Sequence, residues 1–229
     1  ALSSCPACIC ASASPSWVNL PMATYLSSNV VNAQIVVQDP TAGLLVSTGL
    51  PAGLIAQWHF NESTAASQSL ASVVDASTNS FTAAWTYGTA AWAPGRPGQG
   101  NSARLIASNG LTVPSNALLN LSDNFTIEAW IKTSQAYNGS YQVVVDNSDG
   151  VGGGYFFGVN YPATGDLILY TAGVGSNVPA AINDGAWHHV AVVMTGGFAN
   201  YYKDGLFIGR GANSPATAGA RMGIGNFGL

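Results

Sequence analysis

Three cysteines, Cys5, Cys8 and Cys10, lie together in "CPACIC", and the rest of the chain has none. Such spacing suits a metal, but a structural zinc site needs further ligands that no second cluster supplies. An odd number of thiols leaves one unmatched after an internal bridge, so we expect these cysteines to form a disulfide with another copy or another protein. His188 and His189 stand side by side in "WHHVAVV". Adjacent strand residues point to opposite faces, so they cannot grip one metal together. "GVGGGYFFG" has no following helix and is no dinucleotide loop. No Ser-His-Asp spacing or nucleophile elbow occurs, and the expectation is that the protein is not an enzyme. Asn61, Asn120, Asn124 and Asn138 each begin an Asn-x-Ser/Thr sequon and are expected glycosylation sites.

The elements that would carry these residues read as short strands. "FTIEAWIKT" alternates strictly: Phe125, Ile127, Ala129 and Ile131 face one way, Thr126, Glu128, Trp130 and Lys132 the other. "YQVVVDN", "YFFGVN", "DLILYTA", "WHHVAVVM" and "ARMGIGNF" continue the series, with turn clusters such as "NSDGVGGG" and "PATG" between them. "YYKDGLFIG" is a hairpin with Asp204-Gly205 at its tip. The pattern predicts an all-β fold of two antiparallel sheets packed face to face. Trp130 and Trp187 are expected to fill core or inter-sheet space.

Composition narrows the classes further. Of 229 residues 48% are hydrophobic and only 7% charged, against about 25% charged in an average soluble protein. A surface so poor in charge is either solvated by glycans or covered by partners. With six Lys and Arg in all and a net charge of -4, nucleic-acid binding is excluded. No apolar run is long enough to span a membrane as a helix. The beginning "ALSSCPACICASASPSW" lacks a Met and reads as a mature N-terminus, which predicts a secreted, extracellular protein.

From Gly53 onward the landmarks "GLIAQWHFNES", "APGRPGQG", "FTIEAWIKT" and "INDGAWHHVAVVM…YYKDGLFIG" resemble, in order, those of laminin-G-like jelly rolls of the concanavalin A-like lectin/glucanase superfamily. The resemblance implies a jelly-roll sandwich over residues 53–229, preceded by an uncharged extended N-terminal arm (1–28) and a strand-like segment (29–52). Glycoside hydrolases of that superfamily carry Glu-x-Asp-x-Glu-type motifs on one strand. Here Glu62 and Glu128 begin no such motif. Calcium, often held near the loop matching "VVDASTNS", would be bound by Asp75 and Asn79 with backbone carbonyls, with the shaping of a turn by the same two residues as the alternative. In "AAWTYGTAAWAPG", Trp85, Tyr87 and Trp92 are candidate sugar platforms, with core filling as the alternative.

Relatives also end in a strand that pairs beside the first one, after the segment matching "MGIGNFG". The chain stops at Leu229 without it, while strand material lies upstream in "NVVNAQIVVQD" and "LLVSTGL". Val30, Val31, Ile35, Val36 and Val37, supported by Leu44, Leu45 and Val46, are expected to fill the slot. Insertion into a neighbouring copy would build a homopolymeric filament, insertion into the same chain a permuted monomer, and a C-terminal segment following Leu229 would supply the strand in the ordinary way. Two functions remain open: an extracellular structural subunit assembled by strand exchange, or a lectin-like module that binds glycans or mediates adhesion.

Overall fold

The computed structural model describes residues 32–33, 53–60, 72–106 and 109–225. Cys5, Cys8, Cys10, Asn61, Glu62 and the Tyr87 side chain lie outside the described residues, as do Val30, Val31, Ile35, Val36, Val37, Leu44, Leu45 and Val46.

The regular structure of the described chain is almost entirely β-strand, as its alternating pattern requires. The first strands are β1 (Asn32–Ala33), β2 (Ala56–Gln57), β3 (Ser72–Val73), β4 (Ala83–Tyr87) and β5 (Trp92–Pro94). They are followed by β6 (Asn101–Ala103), β7 (Gly110–Val113), a 3-10 turn at Ala117–Leu119, β8 (Phe125–Lys132) and β9 (Gln142–Asp146). Then come β10 (Tyr155–Val159), β11 (Asp166–Thr171), β12 (Val174–Pro179) and β13 (Trp187–Thr195). The series ends with β14 (Phe198–Lys203), β15 (Leu206–Ala212) and β16 (Met222–Ile224). A six-stranded sheet runs β15-β14-β13-β8-β1-β2 and an eight-stranded sheet β12-β11-β10-β9-β16-β7-β4-β3, with β5-β6 as a separate hairpin. All neighbours are antiparallel.

The core lies between the two large sheets. Strand β8 buries Phe125, Ile127, Ala129 and Ile131 and turns its other residues outward. Val190, Val192 and Met194 of β13 stand opposite Ala129, Ile127 and Phe125 in register. Tyr155, Phe157, Leu167 and Leu169 of the eight-stranded sheet meet them in one cluster. Burying one such large side chain contributes about 1.5–3 kcal/mol. Two of these strands are tied at one end. His188 is buried, with Nδ1 2.8 Å from Asp204 Oδ2 and Nε2 3.1 Å from Asp184 Oδ1. Asp204 also accepts from the His189 N–H, so the hairpin tip between β14 and β15 is fastened to the start of β13. Gly205 takes φ 80° in that turn, a value glycine adopts without steric cost.

Two expectations change in detail. The two histidines do face opposite ways. Trp130, however, stands on the outer face of the six-stranded sheet, half-buried, between Glu128 and Lys132, and touches only the margin of the core. Trp187 pairs with Lys132 on the same outer side. The strict alternation that buries Ala129 and Ile131 sends their neighbours out. The place between β8 and β2 is held by β1 of the same chain: Asn32 is opposite both Gln57 and Glu128, and Ala33 is opposite Ala56. Among the described residues no helix is long and apolar enough to cross a membrane.

Candidate functional site

The eight-stranded sheet turns an aromatic face outward. On β10 the core takes Tyr155, Phe157 and Val159, leaving Phe156 and Gly158 on the other side. On β11 it takes Leu167 and Leu169, leaving Tyr170 outward. Phe156 and Tyr170 are directly opposite in register. Each ring lies across a glycine. A side chain at Gly158 would collide with the Phe156 ring, and one at Gly175 would stand 2.6 Å from Tyr170 Cζ. Glycine at these two positions lets the rings lie down on the sheet.

Three more tyrosines extend the patch. Tyr141 lies 4.9 Å from Phe156 and 4.7 Å from Tyr161, and Tyr161 lies 6.0 Å from Tyr137, each measured between ring centroids. Burial, and then the neighbouring Tyr170, Tyr161 and Tyr137, hold the Tyr141 hydroxyl above the ordinary tyrosine range. A groove of about 270 Å³ runs over this face, lined by Tyr141, Phe156, Tyr170 and Thr171 together with Ser148 and the glycines of the loop after β9. That loop is shaped from within. Asp149 Oδ1 accepts from the N–H groups of Val151 at 2.9 Å and Gly153 at 2.7 Å, which holds the pKa of its carboxyl below the usual value. No charged side chain lines the groove. Ring faces and hydroxyls without charge suit a ligand that is apolar on its faces and hydroxylated at its edges.

The residues singled out in the sequence fall elsewhere. Asp75 is buried, and its carboxylate is fully engaged: Oδ1 accepts from the N–H groups of Gln57 and Ser77, both at 2.8 Å. Oδ2 accepts from Ser77 Oγ at 2.6 Å and the Phe81 N–H at 2.8 Å. Asn79 points its Nδ2 at the Ile55 carbonyl, 2.8 Å away. A calcium ion would have to displace these donors, so the pair does not fit a cation as it stands. Trp92 is buried in the core cluster, and Trp85 packs edge-on against it at 6.0 Å. A larger depression near them, about 500 Å³, is lined by Gly88, Thr89, Ala90, Ala91, Ile106 and Asn109 and offers neither rings nor charge. Among the sequon asparagines, Asn138 is exposed with Oδ1 accepting from the Ser140 N–H. Asn124 is exposed and accepts from Thr195 Oγ1, while Asn120 is half-buried and accepts from the Gly219 N–H. The groove residues carry no sequence motif. The signal present in "YFFGVN" was an outward aromatic two places from a glycine, legible only once the inward parity of the strand is known.

Residues 105–226 match the sequence profile described as the concanavalin A-like lectin/glucanases superfamily, of laminin-G type. No curated protein sequence matches the chain significantly. Among solved structures, domain 4 of AbnA, a GH43 extracellular arabinanase from Geobacillus stearothermophilus in complex with arabinotriose, is similar at 18% identity. The match covers 68% of this chain and 79% of that one, with a TM-score of 0.52. The carbohydrate-binding module CBM66 from Bacillus subtilis is similar at 16% identity over 61% of this chain and 86% of its own, TM-score 0.38. Domains LG4-5 of the mouse laminin alpha1 chain are similar at 15% over 52% and 32%, TM-score 0.38. At these identities the arabinanase domain speaks to a common fold.

Proposed function

Because this chain belongs to the concanavalin A-like lectin/glucanases superfamily, we propose that it is an extracellular carbohydrate-binding module for uncharged oligosaccharides. The single observation that carries the reading is the half-buried pair Tyr170 and Tyr141 at the surface over the buried ring of Phe156, with Tyr170 laid across Gly175. The apolar face of a sugar ring rests on such rings, and its hydroxyls meet tyrosine and serine hydroxyls and loop backbone around them. The related arabinanase domain holds arabinotriose, a sugar of this class. The reading is of binding and not of hydrolysis, because the groove lining supplies no pair of carboxylates. Isothermal titration against arabinotriose and a panel of neutral oligosaccharides tests it. At least one ligand is expected to bind, and Tyr170→Ala or Tyr141→Ala to weaken it about tenfold, about 1.4 kcal/mol, with an unchanged melting temperature. Neutral glycans that bind equally to wild type and both variants would refute the groove.

A second reading concerns assembly. The segment between β8 and β2 comes from far upstream and is held by strand pairing on both sides. The same pairing supplied by a second copy would link subunits head to tail. The low charge of the chain favours close contact between copies. In that reading the cysteines of the arm lock neighbours covalently, and glycans on exposed sequons such as Asn138 coat the outside.

A further inference from the structure

The outer face of the six-stranded sheet differs from the groove face in one respect: it gathers positive charge without partners. Arg96 sits in the turn between β5 and β6, whose backbone is closed by the Gly95 N–H on the Gly100 carbonyl and the Gln99 N–H on the Arg96 carbonyl. Its guanidinium carbon lies 3.5 Å from the centroid of the Trp130 ring. At that separation the planar group is stacked, so its N–H edge remains for other bonds. None of the ion pairs among the described residues involves Arg96, and its side chain donates no hydrogen bond within the described residues. Partial burial lowers its pKa, with no carboxylate opposing the effect.

The neighbours reinforce the pattern. Lys132, the next outward residue on β8 after Trp130, is exposed. Farther off on the same face, three strands from β8 and in line with Thr126, Arg210 on β15 lies 4.1 Å over the Phe198 ring. Arg96, Lys132 and Arg210 are half of the six Lys and Arg in the chain. One carboxylate, Glu128, shares this face on the other side of Trp130 from Lys132, 3.5 Å from His189 Nε2, and His189 in turn packs on Trp130 at 5.3 Å. A chain with a net charge of -4 thus turns an unpaired, pre-oriented guanidinium and a nearby ammonium out of one sheet.

We propose that this face is a second ligand site, centred on Arg96 and Lys132 beside Trp130, for the carboxylate or sulfate groups of an acidic glycan. A stacked guanidinium offers two parallel N–H donors in a fixed plane, the geometry that carboxylate and sulfate oxygens accept in pairs. Lys132, roughly 7 Å along the strand, meets a second anionic group on the same glycan chain. The site rests on the reading of the chain as carbohydrate-binding, but on none of the groove residues.

Affinity electrophoresis of the full chain tests it, with polygalacturonate as the carboxylate source, dextran sulfate as the sulfate source and neutral dextran as control, at low and at physiological salt. Retardation by at least one acidic glycan is expected, weakening with salt as charges become screened beyond about 8 Å. Arg96→Gln is expected to weaken it about tenfold, with Arg96→Lys failing to restore it. Lys132→Gln, at an exposed position where folding is not at stake, is expected to weaken it severalfold. Retardation by polygalacturonate alone assigns the site to uronates, by dextran sulfate alone to sulfated sugars, and by both to the shared anionic chemistry. No retardation at low salt overturns the proposal. So does equal weakening by Arg221→Gln, an exposed arginine just before β16 in the other sheet, because that means general charge attraction. Tyr170→Ala is expected to leave acidic-glycan binding intact, so failure of the groove and failure of this site are told apart.

Discussion

Asp75 is a carboxylate that holds a loop together from inside. Its four acceptor positions take three backbone N–H groups and one hydroxyl, joining the start of the sandwich at Gln57 to the turn that leads into β4. Truncating it strands those donors in a buried place, and each buried unsatisfied group costs about 1–3 kcal/mol. Asp75→Ala is therefore expected to lose about 3 kcal/mol or more in urea unfolding, and Asp75→Asn to lose less because one amide oxygen still accepts. The same saturation bears on the calcium expected at Asp75 and Asn79. Melting temperatures in calcium and in chelator are expected to agree. A rise with calcium would mean that the loop opens its donors to admit the ion.

Between elements, Tyr201 of β14 performs the corresponding task across the sandwich. Its hydroxyl accepts from the Leu169 N–H of β11 at 3.0 Å and donates to the Ser176 carbonyl of β12 at 2.5 Å. Burial pushes its pKa up to about 12, and burial pushes Tyr155 up as well. A group whose folded pKa is raised stabilises fully below its unfolded value, near 10, and that contribution is lost as pH rises through the folded value. Stability is thus expected to fall between pH 10 and about 12 as Tyr201 is forced to ionise, and Tyr201→Phe to flatten that fall. Phenolate absorbance followed alongside circular dichroism checks it: the exposed tyrosines titrate first, the buried ones only with unfolding. The elements themselves were legible where one face is buried. Period-two patterning located β8 and β13, and Asp204-Gly205 located the hairpin, because burial of one face and a turn requirement both write directly into sequence. Trp130 was misjudged from its residue type although its parity was already plain. The tyrosine groove was not legible, because Tyr137, Tyr141, Phe156, Tyr161 and Tyr170 come from separate strands and loops and meet only through sheet register and paired glycines. The two packed antiparallel sheets could therefore be derived from the residues and the jelly roll only through the family resemblance, whereas the aromatic groove emerges only in the folded sheet.

Across the whole molecule, a free binding module and an assembled subunit differ in the occupant of the slot between β8 and β2. A sandwich closed by its own upstream strand exposes two different faces, one aromatic and uncharged, one carrying stacked cations, as a free binding module would. A sandwich closed by a neighbour exposes the same faces repeated along a fibre, where weak single-site affinities multiply. Strand pairing through backbone groups does not by itself distinguish the two, since Asn32 and Ala33 make the same ladder contacts whichever copy supplies them. The two differ in whether the slot accepts a strand not tethered to it. A chain beginning at residue 53 is expected to melt earlier than the full chain, each lost ladder hydrogen bond being worth about 1 kcal/mol. Adding a synthetic peptide of residues 29–52 is expected to raise the melting temperature again, with the logarithm of its concentration above the dissociation constant, as any ligand of the folded state does. Rescue by the free peptide, together with multimers of the 23.4 kDa chain in light scattering, supports exchange between copies. Rescue with a strictly monomeric full chain means the strand is exchangeable but stays at home. A peptide without effect at any concentration removes strand exchange from the account and leaves glycan recognition as the work of a single subunit.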